Sequence, residues 1–171
     1  MENNKMKEIL VDKVVVNMGV GEAGEELKKA VAIMEKITDS KAKQTKCRVK
    51  APTWNVRPGL EIGCMVTLRK EKALDFLKKA LQAKNNEIKE RSFDKRGNFG
   101  FGIKEYIDLP GAKYDPKLGI KGFDVLVALK RRGYPVNRKK IKSKIGLKHV
   151  ISKEDAIKFI TEKFGVAIKW K

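Results

Sequence analysis

Three glycines, Gly19, Gly21 and Gly24, are spaced G-x-G-x-x-G between an apolar run at residues 14–18 and a segment of helical period. Glycines so placed let a strand turn into a helix whose first N–H groups can hold a pyrophosphate. That chemistry also needs a second buried parallel strand after the helix, ending on an acid for the ribose hydroxyl. The segment that follows here is DSKAKQTKCRVK (residues 39–50), far too polar and basic for a strand buried on both faces. The glycines are therefore read as a tight turn that lets the helix pack closely on the sheet. Cys47 and Cys64 lack C-x-x-C spacing and His149 is the only histidine, so neither a metal site nor a disulfide framework is indicated. No acid–histidine pair stands near a nucleophile and no lysine loop cradles a cofactor phosphate, so the sequence does not read as an enzyme and calls for no cofactor.

Chemistry directed at phosphate is what remains. Forty Lys and Arg face 21 Asp and Glu in 171 residues, a net charge of +19, which a folded chain tolerates readily beside a polyanion. Nucleic acid is the leading partner; no apolar run approaches the roughly 18 residues that would span a bilayer, and the N-terminus lacks a signal-peptide core, so a membrane is not expected and the chain reads as cytosolic. The charge is uneven. Residues 1–40 hold six Lys and eight acids, whereas residues 41–57 hold six basic residues and no acid, and residues 130–148 hold nine and none. Pro52, Pro58 and Gly59 in the first block, and Gly133, Pro135 and Gly146 in the second, argue for loops over charged helices. The length suits one domain, residues 1–171, with projecting basic loops at about 41–59 and 130–150. In the second loop Arg131, Arg132, Arg138, Lys139 and Lys140 are read as a phosphate clamp, mobile when free.

Alternation and helical period supply the elements that must position these groups. Val14, Val16 and Met18 alternate with Lys13, Val15 and Asn17 in a first strand; Leu27, Ala30, Val31, Met34 and Ile37 stripe the helix after it. A second strand sets Ile62, Cys64, Val66 and Leu68 against Gly63, Met65, Thr67 and Arg69, and a helix over residues 71–90 follows, striped by Leu74, Leu77, Leu81 and Ile88. A third, residues 98–109, sets Phe99, Phe101, Ile103 and Ile107 against Gly100, Gly102, Lys104 and Tyr106; a fourth sets Phe123, Val125, Val127 and Leu129 against Asp124, Leu126, Ala128 and Lys130. A last helix is capped by Ser152 with Asp155 and ends at Gly165. The fold class is α+β, two-layered: a mainly antiparallel sheet with helices on one face. The other face is then an open platform of Lys13, Asn17, Thr67, Arg69, Lys104, Tyr106, Asp124 and Lys130, whose short polar side chains and cations suit RNA hydroxyls, base edges and phosphates. One competing pattern, KRGNFGFGI (residues 95–103), resembles the aromatic strand of the RNA recognition motif, but Phe99 and Phe101 share a side with Ile103 and are assigned to the core.

KVVVNMGVGEAG, RPGLEIGCMVTLR, FDKRGNFGFGIKEYIDLPGAKYDPKLGIKGFDV and EDAIKFITEKFGV, in that order and covering nearly the whole chain, resemble the family of large-subunit ribosomal protein five in its archaeal and eukaryotic form. The resemblance implies a two-layer α+β fold whose open face binds 5S rRNA and helps dock it in the central protuberance, with family polar positions falling on Asn17, Thr67 and Asp124. The family's Thr-Gly-Gln after the first long helix is here TDSK, placing Asp39 and Ser40 where the glycine and glutamine stand. Ser40, Lys41, Lys43 and Thr45 join the rRNA-binding set. The resemblance further implies that the loop at residues 46–59 reaches the elbow of peptidyl-site tRNA through Lys46, Arg48, Lys50 and Arg57, with Trp54 as an aromatic surface; another rRNA anchor is the competing reading of that loop. Large-subunit rRNA, the other 5S rRNA-binding protein and a small-subunit head protein are the further partners implied, in the cytoplasmic ribosome. A stand-alone single-stranded RNA binder is the alternative function; it would stack bases on exposed aromatics, which fluorescence of Trp54 and Trp170 with short RNAs would reveal.

Overall fold

A computed structural model describes residues 4–141 and 143–169. In chain order its elements are β1 (Ile9–Gly19), α1 (Glu25–Thr38), β2 (Lys43–Lys46), β3 (Glu61–Leu68), α2 (Lys70–Ala83), β4 (Glu87–Lys89), β5 (Phe99–Ile103), β6 (Phe123–Arg131), α3 (Lys153–Phe164) and β7 (Ala167–Lys169). Five strands form one sheet in the order β2-β3-β1-β6-β5, every neighbouring pair antiparallel. The long β1 is central because its even positions are apolar throughout residues 14–18, and its partners present matching rows. Val66–Val16–Val125–Phe101 and Leu68–Val14–Val127–Phe99 run straight across four strands. These rows are buried against Leu27, Ala30, Ile33 and Met34 of α1 and Ala73, Phe76, Leu77 and Leu81 of α2. One face is thus covered by helices and the sheet is α+β as expected. The strand after α1 is a short antiparallel edge, which agrees with setting the dinucleotide reading aside.

Phe99 and Phe101 lie in the core, with Phe99 stacked 5.2 Å from Phe93 between ring centroids, so recognition-motif stacking on this strand is closed off. Gly21 and Gly24 adopt φ of 87° and 119°, a left-handed turn in which a side chain would be strained. Close packing, the other role expected of this turn, is not seen: a Cβ at Gly19, Gly21 or Gly24 would meet nothing within 4 Å.

Two element boundaries differ from the pattern-based expectation. The second helix stops at Ala83, because Asn85 and Asn86 take left-handed φ of 57° and 54°. Ile88 is buried as expected, but as part of β4, which pairs in parallel with β7. The third strand stops at Ile103, and a 3₁₀ turn over Tyr106–Asp108 turns Tyr106 inward to 1% exposure, where its hydroxyl accepts a hydrogen bond from the Asp115 amide at 3.1 Å. Tyr106 therefore leaves the platform. At the last helix, the Ser152 hydroxyl caps the Asp155 amide and Gly165 closes the C-terminus at φ 63°, both as the capping residues predict.

Cys47 and Cys64 are both free thiols. Burial between β3 and the helices pushes the Cys64 thiol up to about 11 from an ordinary 9.0, with Lys121 pulling weakly the other way. Its proton is held in both folded and unfolded chains below pH 9; as pH climbs toward 11 only the unfolded chain ionises, so the contribution of this burial to stability is lost in that window. Alkylation at pH 8 is expected to modify the half-buried Cys47 and spare Cys64 until denaturant is added, with equilibrium unfolding showing a stability decline above pH 9.

Candidate nucleic-acid interface

The face away from the helices is organised in rows by strand register. Lys43, Met65, Asn17, Asp124 and Gly102 stand side by side across all five strands of the sheet. The neighbouring row is Thr67, Val15, Leu126 and Gly100, and on the other side Thr45 faces Gly63 and Gly19. Asn17 and Asp124, named separately from two strands, are direct cross-strand partners, and Thr67 lies one row along. Lys43, Thr67 and Asp124 are exposed; Lys13, Asn17 and Thr45 are half-buried. Glycine keeps the face low between these groups. A Cβ on Gly63 would come within 2.9 Å of both the Met18 carbonyl and the Thr45 hydroxyl, and one on Gly102 within 3.2 Å of Asp124 Oδ1. A surface flat at its middle with short hydrogen-bonding side chains and a lysine at one edge admits a nucleic-acid backbone closely.

Ser40 and Lys41 sit off the sheet, in the turn that leads from α1 to β2. Asp39 caps α1 in the left-handed region, and the Glu35 carboxylate accepts a bond from the Ala42 amide at 3.0 Å, fixing the turn beside the Lys43 edge. Lys104 is exposed just past β5. Arg69 and Lys130 lie at the opposite end of the face, and both approach Asp12, a residue the strand pattern did not single out. The signal available was a lone acid inside an apolar strand.

The loop at residues 46–59 is a closed hairpin. The Cys47 amide donates to the Leu60 carbonyl at 2.7 Å, the Gly59 amide to Cys47 at 2.9 Å, and Ala51 and Val56 exchange backbone bonds at 3.0 and 3.2 Å. Pro52–Trp54 form a 3₁₀ turn closed by Asn55 in the left-handed region, which leaves Trp54 77% exposed at the tip. Arg48, Lys50 and Arg57 are exposed along it, and Lys46 at its root reaches Glu61 at 3.8 Å.

In the second basic block, Arg132, Lys139 and Lys140 are exposed, while the side chain of Arg138, like Trp170, lies outside the described residues. Arg131 is different. It ends β6 on the core side, its side chain 10% exposed, and donates to Asp155 at 2.9 Å and to the carbonyls of His149 and Val150 at 3.4 Å. Grouping it with the clamp read its charge without its strand parity. The same corner is tied by the Tyr134 hydroxyl, which accepts from the Ile151 amide at 2.9 Å, and by His149 Nε2, which donates to the Arg132 carbonyl at 2.7 Å. The block expected to be mobile is thus fastened at both ends. Among the described residues no His, Cys, Asp and Glu cluster could hold a metal ion, and no helix is long and apolar enough to cross a membrane.

Comparison with known proteins adds to this geometry. Residues 4–57 match the family model for ribosomal protein L5, and residues 61–159 match the model for the C-terminus of the same ribosomal family. Large ribosomal subunit protein uL5 of Nanoarchaeum equitans is 50% identical over 165 residues, spanning 95% of this chain and 97% of its own length. The uL5 of Picrophilus torridus is 48% identical, with 96% and 95% of the two chains covered, and that of Archaeoglobus fulgidus is 47% identical, with 97% and 93% covered. The second matched segment begins at the start of β3, with three residues between it and the end of the first, and the chain belongs to the ribosomal protein L5 family.

Proposed function

We propose that the open sheet face binds folded 5S rRNA and helps dock it in the large ribosomal subunit, of which the chain, as a member of this family, is a structural constituent. The observation that carries this reading is the register. It sets Asn17 directly against Asp124 and brings Thr67 one row away, on a face that helices leave open. Asn17 and Thr67 can each donate and accept, and Asp124 accepts from a base amino group or a 2′-hydroxyl. Lys13, Lys43, Thr45, Arg69 and Lys130 border them, and Ser40 and Lys41 extend the surface past the edge at β2. Arg132, Arg138, Lys139 and Lys140 add backbone contacts from the basic loop, to 5S rRNA or the large rRNA. Alanine at Asn17, Thr67 or Asp124 is expected to cost roughly 1–3 kcal/mol of 5S rRNA affinity each, by leaving an RNA partner unpaired, with thermal unfolding unchanged. Wild-type affinity in all three variants would refute the assignment.

The hairpin at residues 46–59 supports a second contact, with the elbow of peptidyl-site tRNA. Its exposed Trp54 tip and its acid-free flanks, Lys46, Arg48, Lys50 and Arg57, offer stacking and phosphate attraction without base readout, as one loop serving every tRNA requires. Trimming residues 51–56 is expected to leave 5S rRNA binding intact while weakening peptidyl-site tRNA retention on assembled ribosomes. The opposite pattern would make the hairpin an rRNA anchor. The partners that complete this reading are the other 5S rRNA-binding protein and a small-subunit head protein, within cytoplasmic ribosomes.

A further inference from the structure

Asp12 is the one acid in β1, and it falls where the β1–β6 register shifts between Val11 and Lys13. A bulge re-aims the side chain it carries. Here the carboxylate is 4% exposed, and a single oxygen, Oδ1, is approached by Lys130 Nζ at 2.9 Å and by Arg69 Nη1 at 3.6 Å. The two cations come from separate strands, Lys130 from β6 and Arg69 from the residue after β3, so chain connectivity alone would not bring their heads together. Both remain open to solvent, 38% and 52% exposed, while the carboxylate between them is covered. Two cationic nitrogens gathered on one oxygen are within bridging reach of one phosphate group, which would approach from the solvent side, away from the buried carboxylate.

We propose that Asp12 holds Arg69 and Lys130 as one phosphate-binding pair at the edge of the open face, making Asp12 a positioning residue for RNA although its own charge opposes RNA. The proposal rests on that face being the rRNA-binding surface. Long cationic side chains lose rotamer freedom on meeting phosphate, and a carboxylate that has already ordered them removes much of that cost from binding. Charge alone and positioning therefore make opposite forecasts for Asp12→Asn. Losing a negative charge from a chain that binds a polyanion should tighten the complex; losing the positioning should loosen it.

The test is binding of the full chain to a transcribed archaeal 5S rRNA at fixed moderate salt, with circular dichroism establishing that each variant is folded. Asp12→Asn is expected to weaken binding about tenfold. In an Arg69→Gln, Lys130→Gln background, itself weakened, the same change should have no further effect, which a general loss of structure would not reproduce. Equal or tighter binding by Asp12→Asn in the otherwise wild-type chain overturns the proposal, as does an equal loss in both backgrounds. Wild-type binding by the Arg69→Gln, Lys130→Gln chain also overturns it, and does so independently of Asn17, Thr67 and Asp124, whose alanine variants report on the face itself. If Asp12→Asn does not fold, Asp12→Glu keeps the charge and moves it by one methylene. A several-fold loss is then expected, and wild-type affinity would overturn the proposal.

Discussion

Replacing Arg131 by glutamine is expected to lower stability by about 2–3 kcal/mol while leaving the salt dependence of RNA binding nearly as it was. The guanidinium is covered, and it serves three acceptors at once: the Asp155 carboxylate at the start of α3 and the carbonyls of His149 and Val150 just before it. Removing it leaves two carbonyls without this donor and detaches the start of α3 from the end of β6. Asp155 is itself 41% exposed and can be solvated when released, which keeps the loss below that of a fully buried pair. Chemical denaturation with matched m-values would measure the change. A stable variant whose salt slope flattened by the equivalent of one phosphate would show instead that Arg131 reaches RNA.

The complementary result is expected from its basic neighbours. Neutralising Arg132, Arg138, Lys139 and Lys140 to glutamine together should flatten the log–log salt dependence of rRNA binding by about 3, at roughly 0.7–0.9 for each phosphate no longer neutralised, and weaken binding on the order of a hundredfold at physiological salt. Stability should hardly move. Among the described residues Arg132 pairs with Glu8 at 3.6 Å, both side chains open to solvent, and Lys139 and Lys140 are exposed. An unchanged slope would remove the clamp. Adjacent arginines in one sequence run, Arg131 and Arg132, thus carry opposite expectations, one for folding and one for binding, because Arg131 ends β6 on its core side whereas Arg132 lies exposed in the turn just past the strand.

That pair also shows what the sequence could and could not disclose. The faces of β1, β3 and β6 were readable because a buried row forces apolar residues to alternate over five or more positions, and Val14, Val16, Val66, Val125 and Val127 do so. The platform residues Asn17, Thr67 and Asp124 followed from that parity alone. Arg131 lies on the same parity as Leu129 and would have been placed inside by the same rule, had its charge not been given precedence. Short strands escaped for a different reason. KQTK of β2, EIK of β4 and AIK of β7 are too brief for a period to register, and their pairing is decided by partners far along the chain. Tyr106 was misplaced because alternation was extended past Ile103, where the backbone leaves the sheet. Asp12 lies at a bulge, where an extra residue breaks the count on which pattern reading depends.

The cross-strand pairing of Asn17 with Asp124 also sets a timetable. β1 is made first among the strands but waits for β6, the partner on its other flank, until roughly a hundred further residues have been translated, on the order of 5–20 seconds at ordinary elongation rates. Until then a strand as apolar as β1 is a bare edge beside a growing polycation, and such long-range pairing is intrinsically slow to close. The row that sets Asn17 beside Asp124 comes into being only when β6 docks. On the proposed reading of that face, a nascent chain attracts RNA through its charge before the recognition row exists, and selectivity is acquired late in synthesis.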